Sequence, residues 1–338
     1  MNARPARSMV VDSHNDTIVG LLRRGGESLA GPDAPARPNP EGAIAFTRSP
    51  LDSTAPPIQL NLPKLRAAGI DVAYFAVDVT RARNNHLAYA LDGIGWFLEE
   101  VAAHSDQIAI ATNIGEIHRA NTDGKIAAVL AVENSEVLER SLSVLSALYR
   151  LGVRSLTLTW SYRTWAADGE QASHSGGGLT DFGRDLVAKL NELGMLVDIS
   201  HISDAGFWDV IEASSGPVIG THNCCRALCE HGRNLTDDQI RALAATGGVV
   251  GVTFVEPFVH PTAPTLDLLL DHIQHLADIG GIDCVGLGSD FDGGGELLPD
   301  ATHFPRIAAG LSERGWSDGD LENLLGLNHL RVFAAVCG

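Results

Sequence analysis

Eight short runs of Val, Ile, Leu and Ala, apolar on both faces, recur along the 338 residues of this chain. They fall at residues 9–14, 71–79, 126–133, 154–160, 194–200, 217–222, 248–254 and 284–290. A strand without a polar face must be covered on both sides, which is the condition of a parallel sheet wrapped by helices. Helical patterns separate several of the runs. Residues 182–193 place Phe182, Leu186, Val187, Leu190 and Leu193 on one stripe. Residues 237–245 follow Thr236, a good N-cap, and residues 266–279 stop at Gly280 and Gly281, a C-terminal signal. Strand and helix alternating in this way predict an α/β fold, a (β/α)8 TIM-type barrel, with a doubly wound open sheet as the alternative.

Five of the runs end in side chains that bind metals. Residues 9–16 (MVVDSHND) end in His14 and Asp16, and residues 127–134 (AAVLAVEN) in Glu133. Residues 195–201 end in His201, 217–222 in His222, and 284–292 (CVGLGSDFD) in Asp290 and Asp292. A strand end is where a rigid core presents a side chain to a solvent-accessible cleft. A closed barrel brings all these ends together, whereas an open sheet scatters them, so the ligand pattern also favours the barrel.

His14 and Asp16 are spaced i, i+2, which in a strand points both to one side. A carboxylate such as Glu133 can give one oxygen to each of two cations. His201 and His222 end consecutive strands and form a plausible second site with it. Nitrogen and oxygen donors without thiolate suit Zn²⁺; Mn²⁺, Fe²⁺ and Co²⁺ also fit. Paired cations can share a bridging hydroxide and clamp an oxyanion. Asp290 could carry the proton from that water to a leaving amine, and Asp292 competes for the role. Arg233 could hold a substrate carboxylate in bidentate fashion, or serve as a surface salt bridge; spacing leaves both open. His272 and His275 are expected on the outer surface of a helix, and His86, His104, His118, His174, His260, His303 and His329 lack ligand-like context.

The formal charge of −18 argues against non-specific nucleic-acid binding. No long uncharged apolar run or signal-peptide pattern is present, so no membrane segment is expected and the cytoplasm is the expected location. Five Cys do not make a disulfide framework. Adjacent Cys224 and Cys225 read as small residues in a loop near His222 rather than as thiol nucleophiles. The proline-rich stretch at about 31–59, after the first strand, is a long insertion over the mouth, either a lid or an ordered surface excursion. Without a linker or repeat, residues 1–338 read as one barrel domain.

With these residues in place the chain resembles the membrane (renal) dipeptidase family, the M19 zinc dipeptidases. The resemblance runs over nearly the whole chain, through DSHNDT, AVEN, LTLTW, GLTDFGRDLVAKLNELGMLVDISHIS, PVIGTHN, GRNLTDDQIRALAATGG, VGLGSDFDG and LLGLNHLRVF. It implies a metallo-dependent hydrolase-like barrel with two Zn²⁺ per chain: His14 and Asp16 on the first, His201 and His222 on the second, Glu133 bridging. It further implies that Arg233 grips the substrate's terminal carboxylate and that Asp290, rather than Asp292, handles the proton. One departure stands out. Mammalian members carry a His in the fourth-strand segment, thought to stabilise the tetrahedral intermediate, where this chain has Trp160. An indole N–H can donate one hydrogen bond but carries no charge.

The expected function is therefore zinc-dependent hydrolysis of dipeptides by a metal-bridging hydroxide, with a D-residue permitted on the C-terminal side. The alternative, motivated by Trp160, is a related binuclear metallohydrolase acting on N-acyl amino acids, lactams or small peptide conjugates. A non-catalytic metal-containing binding protein is the third reading. The expected partner is a small dipeptide, with no nucleic acid and no membrane; a homodimer is compatible with the sequence.

Overall fold

Alternation within the apolar runs builds two separate cores. In a computed structural model, which describes residues 8–37, 57–82 and 84–338 (the Arg81 side chain excepted), every strand pairing is parallel. The strands are β1 (Val11–Asn15), β2 (Val72–Asp78), β3 (Ile108–Ile110), β4 (Ile126–Glu133), β5 (Val153–Thr157), β6 (Leu196–Asp198), β7 (Val218–Asn223), β8 (Val249–Val252) and β9 (Val285–Leu287). Their order is β1-β2-β4-β5-β6-β7-β8-β9. The ring closes where Asp290 N donates to His14 O at 3.0 Å and Asp16 N to Phe291 O at 2.9 Å. The fold is the expected eight-stranded barrel, nearly closed, with helices alternating around it.

Strand β3 was not among the expected runs. It is only three residues long and pairs with Ile126–Ala128 of β4, while β5 takes over beyond it from Leu130. Such a short edge piece has too few residues to show a period. Other runs extend past the paired strands: 194–200 shrinks to Leu196–Asp198 and 284–290 to Val285–Leu287. The extra residues are the loops that carry His201 and Asp290.

Along β2 and β4, Ala73, Phe75, Ala128 and Leu130 join the main core between barrel and helices. Their alternating partners Val72, Tyr74, Ala127 and Val129 point the other way and join Val11, Leu196, Ile219 and Val249 in a second cluster. Leu330, Val332 and Phe333 of the C-terminal helix (Asn328–Cys337) complete it from below. The turn before that helix lies so close that a Cβ on Gly326 would fall 2.0 Å from Met9 O. The barrel floor is thereby packed and dry, and its opposite, C-terminal end is left for polar groups.

His272 is not on the outer face of its helix. It is buried, its Nδ1 accepting from Cys225 N at 3.0 Å and its Nε2 lying 3.0 Å from Val259 O. The backbone after β7 needs those partners, and the ring supplies them. Of the proline-rich insertion, residues 38–56 lie outside the described residues, and with them the lid expectation. Its two ends are anchored: Arg37 Nε donates to Glu100 Oε1 at 3.0 Å, and Gln59 N to Asp292 Oδ1 at 2.7 Å. Among the described residues no helix is long and apolar enough to cross a membrane.

Candidate metal centre

Each candidate ligand leaves the barrel at a strand end. Register shifts in β1 between Asp12 and Asn15, and the strand stops at Asn15. Asp16 then becomes the residue before the helix Thr17–Arg23. The pair His14 and Asp16 is thus presented by an irregular strand end rather than by simple alternation. His201 and Asp290 both sit in the left-handed backbone region, at φ 70° and 59°. For residues other than glycine that conformation costs about 1–3 kcal/mol and persists only where surroundings enforce it. Here they do: Gly295 N donates to Asp290 O at 2.7 Å, and Glu170 N to His201 O at 2.8 Å.

The side chains converge. Glu133 Oε1 lies 2.8 Å from His201 Nε2 and 3.8 Å from His222 Nε2, while its Oε2 lies 3.9 Å from His14 Nε2. The two carboxylate oxygens therefore face different imidazole sets. Asp290 Oδ1 is also 3.9 Å from His14 Nε2. Two groups have ligand atoms all within 4.8 Å of one another: His14, Glu133 and His222, and His14, Asp16 and Asp290.

A layer beneath fixes the imidazole tautomer. Asp198 accepts from Thr157 Oγ1 at 2.7 Å, Ser200 N at 3.0 Å, Thr221 N at 3.0 Å and Thr221 Oγ1 at 2.5 Å. With its proton given to Asp198, the Thr221 hydroxyl oxygen accepts from His222 Nδ1 at 2.9 Å. His222 Nε2 is then a bare lone pair, aimed 2.9 Å from His201 Nε2. Burial pulls His201 and His222 well below the ordinary imidazole range and His14 down to about 4, so all three are neutral near pH 7. His14 Nε2 is buried and makes no hydrogen bond. Burial, then the charges of Asp78, Asp16 and Asp290, push Glu133 well above the ordinary carboxylate range. Neutral imidazoles with inward lone pairs, among crowded carboxylates, are the donor set that a divalent cation satisfies and a proton does not.

Asp290 and Asp292 separate clearly. Asp292 accepts from Thr17 Oγ1 and Gln59 N, both at 2.7 Å, and burial raises it to about 6. It tethers the end of the insertion. Asp290 instead lines a cavity of about 580 Å³ with Asp16, Glu133 and His201. Trp160 lines it too, its indole stacked on His201 at 5.6 Å with a 24° interplanar angle. Arg233 is buried rather than on the surface. Its Nη2 donates to His222 O at 3.2 Å, its guanidinium lies 5.2 Å from the Phe258 ring centroid, and its Nε and Nη1 make no hydrogen bond. Cys224 and Cys225 are buried at the end of β7; burial pushes Cys224 up to about 12, which removes the thiolate a nucleophile needs.

Among the residues of this region that escaped the sequence reading are Asp78, Asp198, Tyr162, Glu170 and His231. Asp198 ends β6 as Glu133 ends β4, so the same strand-end signal was present, but His201 three residues on drew the assignment. Tyr162, Glu170 and His231 line the cavity from loops whose path no periodicity reveals.

A parallel barrel with a carboxylate–imidazole cluster at its C-terminal mouth defines the class of metal-dependent barrel hydrolases. Comparison with known proteins narrows the class. The profile of the membrane dipeptidase family, peptidase family M19, matches residues 3–337, and the chain belongs to that family. It is 39% identical to dipeptidase verJ of Clonostachys rogersoniana over 240 residues, covering 70% of this chain and 62% of that protein. It is 32% identical to dipeptidase 3 of Macaca fascicularis over 286 residues, covering 81% of this chain and 58% of that one. The chain thus spans about three-fifths of the length of these relatives. Among solved structures, dipeptidase AC, an M19 metallopeptidase, superposes with a TM-score of 0.84 at 26% identity, over 98% of this chain and 100% of that one. A Rhodobacter sphaeroides metallopeptidase carrying a phosphinate mimic of L-Ala-D-Ala superposes with a TM-score of 0.83 at 25% identity, over 98% and 100%.

Proposed function

We propose that this chain is a zinc-dependent dipeptidase, a hydrolase of the peptide bond in dipeptides. The observation that carries the reading is Glu133, whose two oxygens face His201 and His222 on one side and His14 on the other. In this reading His14 and Asp16 would hold one cation, His201 and His222 the other, and Glu133 would serve both. Two divalent cations, when bound, lower the pKa of water and polarise the scissile carbonyl. Donors limited to nitrogen and oxygen favour Zn²⁺, with Mn²⁺, Fe²⁺ and Co²⁺ as substitutes.

The chain's own groups supply the rest. Arg233 offers two buried, uncommitted donors, Nε and Nη1, to the terminal carboxylate of a short substrate. That grip measures the distance from the chain end to the scissile bond, which is why dipeptides are preferred. Asp290, on its loop beside His14, takes a proton from the attacking water and gives it to the leaving amine. Trp160 is stacked on His201 and lines the cavity, and its indole N–H can donate one hydrogen bond. The mimic bound in the Rhodobacter relative supports a dipeptide with a D-residue at its C-terminal side.

The test pairs two variants on a dipeptide panel. Arg233→Ala is expected mainly to raise KM, and Asp290→Ala mainly to lower kcat. Equal effects on both parameters from both variants would remove these roles. Faster cleavage of N-acyl amino acids than of any dipeptide would move the assignment to the second hydrolase class, which Trp160 favours by withholding a charged donor from the oxyanion.

A further inference from the structure

The cavity wall holds a carboxylate that the proposed reaction does not use. Glu170 lines the cavity half-buried, and among the described residues it makes no ion pair with a basic side chain. Its backbone is locked in place. Gly169 N donates to Tyr162 O at 3.1 Å, Glu170 N to His201 O at 2.8 Å and Gln171 N to Ser161 O at 2.9 Å. A Cβ on Gly169 would fall 2.1 Å from Trp160 O, so only glycine lets the two segments lie this close. Glu170 is thereby held beside the aromatic pair Trp160 and Tyr162, whose rings are 5.5 Å apart and line the same cavity.

Neighbouring bases leave that carboxylate available. His231, across the cavity, is shifted by burial toward its neutral form, and Arg233 acts on Glu170 only through space. Burial is the largest influence on Glu170 and raises it, while hydrogen bonds from the Ser161 and Gln171 side chains and the charge of Arg233 favour its ionised form. A carboxylate sharing a cavity wall with two aromatic rings can bind an organic cation.

We propose that Glu170, with the Trp160 and Tyr162 rings, selects dipeptides bearing a guanidinium or ammonium side chain. This rests on the dipeptidase reading and names its substrate class. The cation can come from either residue of the dipeptide, and the experiment separates the two.

The metal-loaded enzyme is assayed with Arg-Ala and Ala-Arg against citrulline-Ala and Ala-citrulline, which match them in shape without the charge. A preference of about tenfold in kcat/KM for the charged member of at least one pair is expected, and that pair identifies the residue read. In Glu170→Gln the preference falls to near unity; Glu170→Asp retains part of it. Tyr162→Ala, at an exposed position, lowers it about threefold. The proposal is overturned by equal rates within both wild-type pairs, or by a preference that survives Glu170→Gln. It is also overturned if Glu170→Gln slows charged and neutral substrates alike, since Glu170 would then hold the α-ammonium common to all of them. If no dipeptide is cleaved at all, the dipeptidase reading itself fails; cleavage without charge preference sinks the selection by Glu170 alone.

Discussion

The two ends of the barrel are built on opposite principles. At the floor, Val72, Tyr74, Val129, Leu330 and Phe333 close an apolar cluster. At the mouth, Glu133, Asp16, Asp290 and Asp78 crowd together among three neutral imidazoles, and four non-glycine residues, Asn134, His201, Asp290 and Asp292, have positive φ. The floor is complete as it stands. The mouth leaves carboxylates crowded and a buried His14 nitrogen without a hydrogen bond, so the same barrel pays for function at one end with packing at the other.

The sharpest way to break this contrast is Glu133→Gln. It removes the bridge between the two imidazole sets and is expected to lower kcat/KM by at least about 10³-fold. On the two-cation reading proposed above, metal content by mass spectrometry should fall from two ions per chain to one or none. Thermal melting should show opposite signs in the two states: the variant melts below wild type when metal is present. After chelation it melts at or above wild type, because one of four crowded carboxylates has gone. A variant that keeps both ions and full activity would disprove the bridging role.

Phe333→Ala attacks the other end. The side chain is wholly buried, so truncation is expected to cost about 3–5 kcal/mol of unfolding free energy, read by denaturant titration. Metal content and KM should not change, since Phe333 packs in the floor cluster and does not line the cavity at the mouth. Loss of metal at temperatures where the variant is still folded would show that the two ends are not independent.

Between these lies the supporting layer. Asp198→Asn keeps the shape but offers an amide where four donors now converge. With the Thr221 hydroxyl no longer committed to a carboxylate, His222 loses its fixed tautomer. Metal affinity is expected to drop about 10–100-fold, measured by competition with a chromophoric chelator. Unchanged affinity would mean that the ring is held by packing against His14, whose centroid is 3.9 Å away, and not by the hydrogen-bond chain.

How much of this was legible follows the same division. Strands apolar on both faces announced the barrel, and His14, Glu133, His201 and His222 could be found because a strand end leaves them adjacent to an apolar run. Asp290 was separable from Asp292 only by family resemblance; in space, Thr17 and Gln59 occupy Asp292 and leave Asp290 facing the cavity. Glu170 was invisible because its position depends on a loop clamped across Ser161 and Tyr162, a contact with no periodic trace in the sequence. His272 was misplaced for a related reason: helical period assigns a face, but the unmet backbone N–H of Cys225 decided which way the ring turned.

The smallest effect comes from a buried imidazole in the floor. His329 is buried there, fitted into a notch where a Cβ on Gly286 would fall 2.1 Å from its Nε2. Burial pulls it from 6.5 down to about 3. A folded-state pKa below the unfolded one means that the unfolded chain binds the proton first. Its contribution to stability is therefore complete above pH 6.5 and is lost progressively as pH falls toward 3. His329→Leu removes that proton from the balance. Between those limits the slope of unfolding free energy against pH should be shallower than in wild type by up to about 1.4 kcal/mol per pH unit. The mouth imidazoles titrate in both proteins, so the difference isolates the floor. Parallel acid limbs would show that His329 is protonated within the fold, and that the floor is less dry than its packing indicates.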